Sequence, residues 1–593
     1  MYAEFEKQQE LLKQSQTTAP AEDPSTYSIK KATQFGCVER VKQLVQQGAD
    51  VNELDAEGSS LLHWAAINNQ QEIAGLYIDN GAVIDKYGGT IHSTPLHWAT
   101  RQGHLPMVVQ LMRVGADPTA VDGEGYQCIH LCSMFGHSKI VAYLVAKGYD
   151  VDTPDKNGMT PLMWACYRTA SMDPTRLLIT LGADVNKKDT QHGHTPLHWG
   201  LLVGNSTALN LLTKQNVDLD ALNLAGQTSL DIAKNKKNRW MIERLAKKRL
   251  DSGLDNPGFV QRRTKYNRAF REKYMIGYPF FALWAVGWTF EMDYWWCFWW
   301  VRFLLLGLVY LSWKYSKQHL FDERLGNTIP FGLYMATKFW MYFTWFFYAL
   351  PYIDSLLLHA AFFATTVLLV YNFSKSVRCD PGYLRPSREQ QHQAIMELSE
   401  TSTLTVEDFC STCILRKPLR SKHCSICDKC VAMFDHHCPW IYNCVGASNV
   451  RYFVLYLTYL IGMILWCAYG CITFWLNGCG MASLGMHDII DVIRCSPWVS
   501  WIFLHCCVHL VFVGILLSNM VYQIAYLGIT TNENINKFRY KHLKKDGVFY
   551  NPFNRGPVQN CVDTMRWSCC GLCRPSHTDW KTVYKLNNNR EYV

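Results

Sequence analysis

Thr94-Pro95-Leu96-His97 opens a phrase that returns about every 33 residues through the first 250 or so positions. Ser60-Leu61-Leu62-His63, Thr160-Pro161-Leu162-Met163, Thr195-Pro196-Leu197-His198 and Thr228-Ser229-Leu230-Asp231 keep its phase, and Cys128-Ile129-His130 falls in the same place. Gly48-Ala49-Asp50, Gly115-Ala116-Asp117 and Gly182-Ala183-Asp184 mark turns near the ends of units. A unit of this length is a helix pair and a turn that cannot bury its apolar face alone. Stacking supplies the core and leaves a concave side for binding. The recurring His residues therefore read as structural hydrogen-bonding groups, not as metal ligands or catalysts.

The period and signature identify ankyrin repeats, about seven units within residues 29–245, with degenerate caps at both ends. The expected fold class is all-α and multi-domain: an ankyrin solenoid, a six-helix transmembrane bundle and a small cytosolic two-zinc cysteine-rich domain. The expected order is a polar tail (1–28), repeats (29–245), a basic linker (246–273), four spans (274–373), the cysteine-rich segment (374–451), two spans (452–527) and a cytosolic C-terminal region (528–593).

At 593 residues the chain is too long for one core, and its net charge of +9 is modest. No basic stripe on a nucleic-acid-binding fold is visible, which argues against nucleic acid as a partner. Apolar runs at 274–290, 294–313, 329–350, 352–373, 452–476 and 498–527 read as membrane spans. Lys and Arg cluster after the second, fourth and sixth runs, so both termini and the cysteine-rich segment are expected in the cytosol. The N-terminus has no apolar h-region, so the first span is expected to do the targeting. Arg302 is expected either to snorkel or to pair with Glu291 or Asp293, and Cys479 and Cys495 share one lumenal loop where they could pair.

The chemistry-bearing run is Cys410-x2-Cys413-x9-His423-Cys424-x2-Cys427-x2-Cys430-x4-Asp435-His436-His437-Cys438-x5-Cys444. Seven Cys with His423 and His437 are nine candidate ligands. Two tetrahedral zinc sites use eight and leave one Cys over. Cys438 is the best candidate, because Asp435 and His436 beside it form a carboxylate–imidazole–thiol sequence. A neighbouring His can take the thiol proton, and a carboxylate can fix the His tautomer. The bland alternative is a zinc-finger-like binding module with a spare Cys.

Asp435-His436-His437-Cys438, Pro439-Trp440, Asn443-Cys444, Gly446 and Asn449 resemble the DHHC protein S-acyltransferases. The resemblance implies that one zinc takes Cys410, Cys413, His423 and Cys430 and the other Cys424, Cys427, His437 and Cys444, an interleaving that spacing alone does not give. It implies that His436 is the base, that Cys438 is the nucleophile, and that Trp440 lies along the acyl chain. Asp380-Pro381-Gly382 and Thr530-Thr531-Asn532-Glu533 match two further family motifs, expected to pack on the catalytic segment with Thr531 on the Asp435 side. Residues 551–556 and Asn560 look like the family's C-terminal element.

The order of parts resembles the ankyrin-bearing palmitoyltransferases of the huntingtin-interacting type. That implies palmitoyl-CoA as acyl donor, two structural Zn2+, and substrate proteins with cytosolic cysteines recruited through disordered Gln-Pro-containing segments. It also implies Golgi and cytoplasmic vesicle membranes. Asn68 and Trp98 are the candidate groove residues. Cys438 lies just before the fifth span, where an acyl chain can gain roughly 0.8 kcal/mol per buried CH2 from membrane lipid or an apolar bundle. Arg416, Lys417, Arg420 and Lys422 read either as attractors of CoA phosphates or as solvated loop charges. The rivals are an ankyrin-bearing six-span ion channel and a non-catalytic sorting adaptor. The loop between the last two spans is short for a pore, and the intact Asp-His-His-Cys argues against the adaptor.

Overall fold

The computed structural model describes residues 23–168, 174–255, 267–292, 299–319, 328–401, 404–405, 408–481, 489–568, 574–576 and 578–584. Asp293, much of the basic linker, and Cys569, Cys570 and Cys573 lie outside them.

Among the described residues the N-terminal third is seven helix pairs. They are α1 (Ile29–Phe35) with α2 (Val38–Gln46), α3 (Leu61–Ile67) with α4 (Gln71–Asp79), and α5 (Pro95–Gln102) with α6 (Leu105–Arg113). Then come α7 (Cys128–Met134) with α8 (Ser138–Ala146), α9 (Pro161–Arg168) with α10 (Thr175–Leu181), α11 (Pro196–Leu202) with α12 (Ser206–Leu212), and α13 (Ser229–Asn235) with α14 (Arg239–Asp251). Long helices follow: α15 (Arg268–Glu291), α16 (Trp299–His319), α17 (Thr328–Thr344) and α18 (Leu356–Arg378). A polar helix α19 (Arg388–Glu400) precedes three two-stranded hairpins, β1 (Phe409–Cys410) with β2 (Leu415–Arg416), β3 (Lys422–Cys424) with β4 (Lys429–Val431), and β5 (His436–Cys438) with β6 (Asn443–Val445). The chain ends with α20 (Val450–Thr473), α21 (Ile489–Cys495), α22 (Pro497–Tyr522), α23 (Thr531–Ile535), the hairpin of β7 (Lys544–Lys545) and β8 (Val548–Phe549), and α24 (Pro557–Met565).

The repeat signature works as a helix start. Thr94 is the N-cap of α5 and Pro95 occupies the first turn, where a missing N–H costs nothing. His97 takes the place a Glu has in a capping box. Its Nδ1 lies 2.8 Å from Thr94 Oγ1, and its Nε2 reaches the Ala120 carbonyl of the next unit at 3.0 Å. His63 repeats this with Ser60 Oγ at 2.9 Å and Ser93 O at 2.8 Å. Burial pushes the His63 imidazole down to about 4, which keeps it neutral. These histidines thus stitch adjacent repeats together, as their phase implies. The Trp at the next position, after His63, Met163 and His198, ties each of these units to its own turn: Trp64, Trp164 and Trp199 donate to the carboxylates of Asp55, Asp155 and Asp189 at 2.9–3.1 Å. Trp98 instead donates to Ser93 Oγ at 2.9 Å.

Residues 386–416 belong to the same compact unit as the repeats. Ser387 and Gln390 cap the start of α19 reciprocally. The helix buries Ile395 and Leu398 in the core that the repeats share, against α6 and α8. Leu404, Phe409 and Ile414 join that core, so the β1–β2 hairpin is anchored there too. The α6 and α8 helices are the second members of their pairs, whereas Trp64 and Trp98 sit on first helices. The Arg113–Glu400 pair at 3.8 Å is exposed and adds little.

Among the described residues of the second compact unit, three helices are long and apolar enough to cross a membrane: Leu356–Arg378, Val450–Gly478 and Pro497–Leu527. The latter two extend α20 and α22 by a final π turn. The regions where the first three spans were expected also form helices. They are more polar or shorter, and α15 contains Pro279. Helix α20 packs between α18 and α22, and α15 packs on α17. Trp345 stacks on Phe362 at 4.1 Å between ring centres. Cys479 and Cys495 form a disulfide. The Arg302 guanidinium donates to the Met292 carbonyl at 2.5 Å; of its two expected acidic partners, Asp293 lies outside the described residues. Glu291 instead accepts from the Trp498 backbone N–H at 2.6 Å, a carboxylate on the orphan donors at the start of α22.

If α19 is held to the repeats by its buried apolar side, Leu398→Ala should destabilise the repeat unit by about 2–5 kcal/mol. Limited proteolysis should then cut between α19 and β1. Melting and cleavage patterns like those of the unaltered protein would contradict the docking.

Candidate active site

The β5–β6 hairpin sorts the reactive side chains. Its register pairs His436 with Val445, His437 with Cys444 and Cys438 with Asn443. Successive side chains on a strand point to opposite faces. His437 and Cys444 therefore share one face, while His436 and Cys438 share the other.

On the first face, ligand atoms of Cys424, Cys427, His437 and Cys444 all lie within 4.8 Å of one another. Cys427 Sγ is 3.4 Å from His437 Nδ1 and 3.4 Å from Cys444 Sγ. Three thiols and an imidazole at this spacing fit a closed tetrahedral zinc site. The Cys424-x2-Cys427 turn places the Cys427 N–H 3.5 Å from Cys424 Sγ. Cys410 and Cys413 repeat that turn in the repeat unit, with N–H to Sγ at 3.4 Å. In the second unit, His423 and Cys430 face each other across β3–β4, Nδ1 to Sγ 3.9 Å.

On the other face, His436 Nδ1 lies 2.6 Å from Asp435 Oδ2, and the ring engages the Cys438 thiol. Burial disfavours charge on His436, but the bonds to Asp435 and Cys438 outweigh it and raise the imidazole to about 10. Phe453 meets the ring edge-on at 5.5 Å. Asp435 is buried, and its second oxygen accepts the Thr531 backbone N–H at 2.7 Å. The expected Thr531 contact is thus made by the main chain, and the Thr531 hydroxyl turns to Gln523 at 2.9 Å.

Helix α23 is positioned by a capping box. Thr530 N–H donates to Glu533 Oε2 at 2.9 Å, and Glu533 N–H to Thr530 Oγ1 at 3.2 Å. Glu533 is also gripped by Arg420, Nε to Oε1 at 2.8 Å and Nη2 to Oε2 at 2.7 Å. The Arg420 guanidinium lies between the Phe553 and Trp580 rings at 4.6 and 4.9 Å. Burial opposes the Glu533 charge, yet Arg420, His542 and the cap hold its carboxyl down to about 2. Arg420 is therefore neither a solvated charge nor an open phosphate attractor. Lys422 likewise donates to Asn532 Oδ1 at 2.8 Å. The Arg420–Glu533 pair is not legible in the sequence. The Thr-x-x-Glu spacing was a capping-box signal, but nothing local marked the partner 113 residues earlier.

Asn443 ties the hairpin to the bundle. Its amide lies 3.0–3.1 Å from the Ser376, Val377 and Cys379 carbonyls, the orphan acceptors at the end of α18. Gly446 lets the Asp380-Pro381-Gly382 turn approach, since a Cβ there would meet Pro381 O at 2.6 Å. Asn449 braces the same corner through Gly446 N–H at 2.9 Å and Cys444 O at 2.8 Å.

Cys438 is 3% exposed and opens on a cavity of about 270 Å³. Trp440, Tyr334, Leu460, His509, Val513 and Leu516 are among its walls, which are overwhelmingly apolar. In the repeats, Trp98 is half-buried with its ring edge-on to Trp64 at 5.7 Å, and Asn68 donates to the Trp64 carbonyl at 3.0 Å. Trp64 thus links the two candidate groove residues.

The DHHC palmitoyltransferase profile matches residues 404–538, and the profile of ankyrin repeats matches residues 29–122 and 96–189. Palmitoyltransferase ZDHHC17 of Homo sapiens is 48% identical over 569 residues, covering 95% of this chain and 90% of that protein. The chain belongs to the DHHC palmitoyltransferases. Palmitoyltransferase Hip14 of Drosophila melanogaster is 41% identical over 98% of this chain and 91% of its own length. Palmitoyltransferase ZDHHC13 of Mus musculus is 37% identical, covering 97% and 93%. The solved ankyrin repeat domain of human ASB11 matches 39% of the chain and 99% of its own at 26% identity, with a TM-score of 0.35.

Breaking a buried ion pair from one side leaves a stranded charge, a loss of about 3–5 kcal/mol. Arg420→Met should therefore lower the melting temperature and disengage Thr531 from Asp435, while Arg420→Met with Glu533→Leu should recover part of the stability. A single variant as stable as the unaltered protein would show that the pair holds nothing.

Proposed function

We propose that this palmitoyltransferase moves a long acyl chain from palmitoyl-CoA to cytosolic cysteine thiols of proteins held by its repeats. The observation that carries the reading is Cys438, with the Asp435–His436 pair beside it and an apolar cavity in front of it. His436 takes the proton of Cys438, and the thiolate attacks the thioester carbonyl. The carbon–sulfur bond to CoA breaks, and CoA leaves with the proton from His436. In the second step a substrate thiol gives its proton to His436 and attacks the Cys438 thioester. Cys438 leaves as a thiolate and recovers that proton. Asp435 fixes the imidazole so that Nε2 serves the sulfur. The acyl chain lies in the cavity along Trp440.

Two zinc ions are structural in this reading. Cys424, Cys427, His437 and Cys444 hold one; the resemblance to the DHHC family assigns Cys410, Cys413, His423 and Cys430 to the other, and the repeated Cys-x2-Cys turns support that assignment. Neither takes part in the transfer, and each fixes a hairpin. Thr531 and Glu533 hold Asp435 in place.

Six membrane spans with both termini in the cytosol place Cys438 at the membrane face. The three strongly apolar helices and the clustering of Lys and Arg support that topology. Golgi and vesicle membranes are the proposed location. The groove at Asn68 and Trp98 takes disordered Gln-Pro-containing segments, an extended chain that can lie on the Trp64–Trp98 edge.

The test is transfer of labelled palmitate from palmitoyl-CoA to a recruited protein in detergent. Cys438→Ser should abolish it at unchanged zinc content, while Trp98→Ala should lower it several-fold and spare transfer to Cys438 itself. Transfer by Cys438→Ser at the original rate would refute the nucleophile. Equal transfer to the partner by Trp98→Ala would refute the groove.

A further inference from the structure

Immediately after the last apolar span, the chain builds a surface that the transfer chemistry does not use. The span ends at Leu527, and Gly528 turns the chain in the left-handed region at φ 64°. Residues 535–549 then carry Lys537, Arg539, Lys541, Lys544 and Lys545 against a single acid, Asp546. Among these charges Ile535, Phe538 and Val548 are 77%, 66% and 70% exposed. Large apolar side chains left in water between cations are unusual for a surface that meets only solvent.

The surface is rigidly attached to the end of the span. Leu543 is fully buried with Ile529 and Phe553, and Leu527, Tyr540 and Phe549 pack on that cluster. The β7–β8 hairpin holds Lys544 across from Phe549 and Lys545 across from Val548. Lys537 Nζ lies over both the Phe538 and Phe549 rings, at 5.4 and 5.7 Å, so the two segments are neighbours. The cations are thereby fixed beside the last residue of the span, within reach of a membrane surface. Exposed apolar tips flanked by cations suit a surface that is negative on its face and apolar just beneath.

We propose that residues 535–549 dock on anionic lipid headgroups of the membrane leaflet next to the active site, with Phe538 and Val548 dipping toward the acyl region. The inference rests on the membrane topology proposed above. Incorporation of the protein into nanodiscs tests that topology separately. The attraction would hold α23, and with it the Thr531–Asp435 contact, against the membrane face.

The test uses the full chain in nanodiscs of phosphatidylcholine alone and of phosphatidylcholine with phosphatidylserine, read by backbone hydrogen exchange. Residues 535–549 should exchange several-fold more slowly in the phosphatidylserine discs. That protection should disappear in the Lys544→Glu, Lys545→Glu variant and at high salt. In phosphatidylcholine alone, this variant should acylate Cys438 at the unaltered rate. Equal exchange in both lipids would overturn the proposal. Palmitoyl-CoA restoring the same protection in phosphatidylcholine alone, through the same lysines, would also overturn it by assigning the surface to the donor's phosphates.

Discussion

The reactive end of this molecule depends on the alternation of three consecutive side chains across one short strand. His436 and Cys438 share one face, where Cys438 opens on the bundle cavity, and His437 between them faces a cluster of thiols. A metal held by His437 and those thiols would fix the strand, and a fixed strand keeps His436 beside Cys438. A shift of one residue would reverse every assignment. The register is secured independently at three points. Cys444 pairs with His437 across the hairpin, Asn443 caps the end of α18, and Asp435 receives the Thr531 N–H. This multiplicity accounts for how a loop-rich segment with two- and three-residue strands holds the Cys438 thiol in a defined place.

Much of this was legible in the sequence because the signals are local. The repeat phrase combines an N-cap, a proline in the first turn and a His three residues past the cap, and each has a local mechanism. The Cys-x2-Cys turns are likewise local, since the second residue's N–H reaches the first sulfur. Asp-His-His-Cys carries its own chemistry in adjacent residues. Long-range pairs were not legible. Arg420 read as one of several loop cations, because its partner Glu533 lies far along the chain and neither residue advertises burial. Glu291 was not legible as a cap on α22 for a related reason, since the Trp498 N–H it accepts from lies 207 residues along the chain. The docking of α19 was invisible because its sequence is mostly polar and its burial rests on a few side chains, Ile395 and Leu398 foremost.

That docking alters how the repeats relate to the chemistry. Read as a sequence, they are a recruiting module attached by a linker. In the fold, the stretch from Pro386 to Arg416, including Cys410 and Cys413, shares their core. The solenoid is therefore a structural support for the Cys410-x2-Cys413 turn as well as a proposed binding surface. The two roles use different layers. The second helices α6 and α8 carry α19, and the first helices carry the Trp64–Trp98 edge. Occupying the edge thus need not displace the support.

The central claim is that Cys438, and no other thiol, carries the acyl group in transit. It is tested most directly by incubating the purified protein with labelled palmitoyl-CoA and mapping the thioester by peptide mass spectrometry, with cleavage by neutral hydroxylamine as the chemical check. The account predicts the acyl mass on the peptide containing Cys438, accumulating before any partner protein is added and discharged when one is. A stable acyl mass on another cysteine, such as exposed Cys507, with Cys438 unmodified would contradict it.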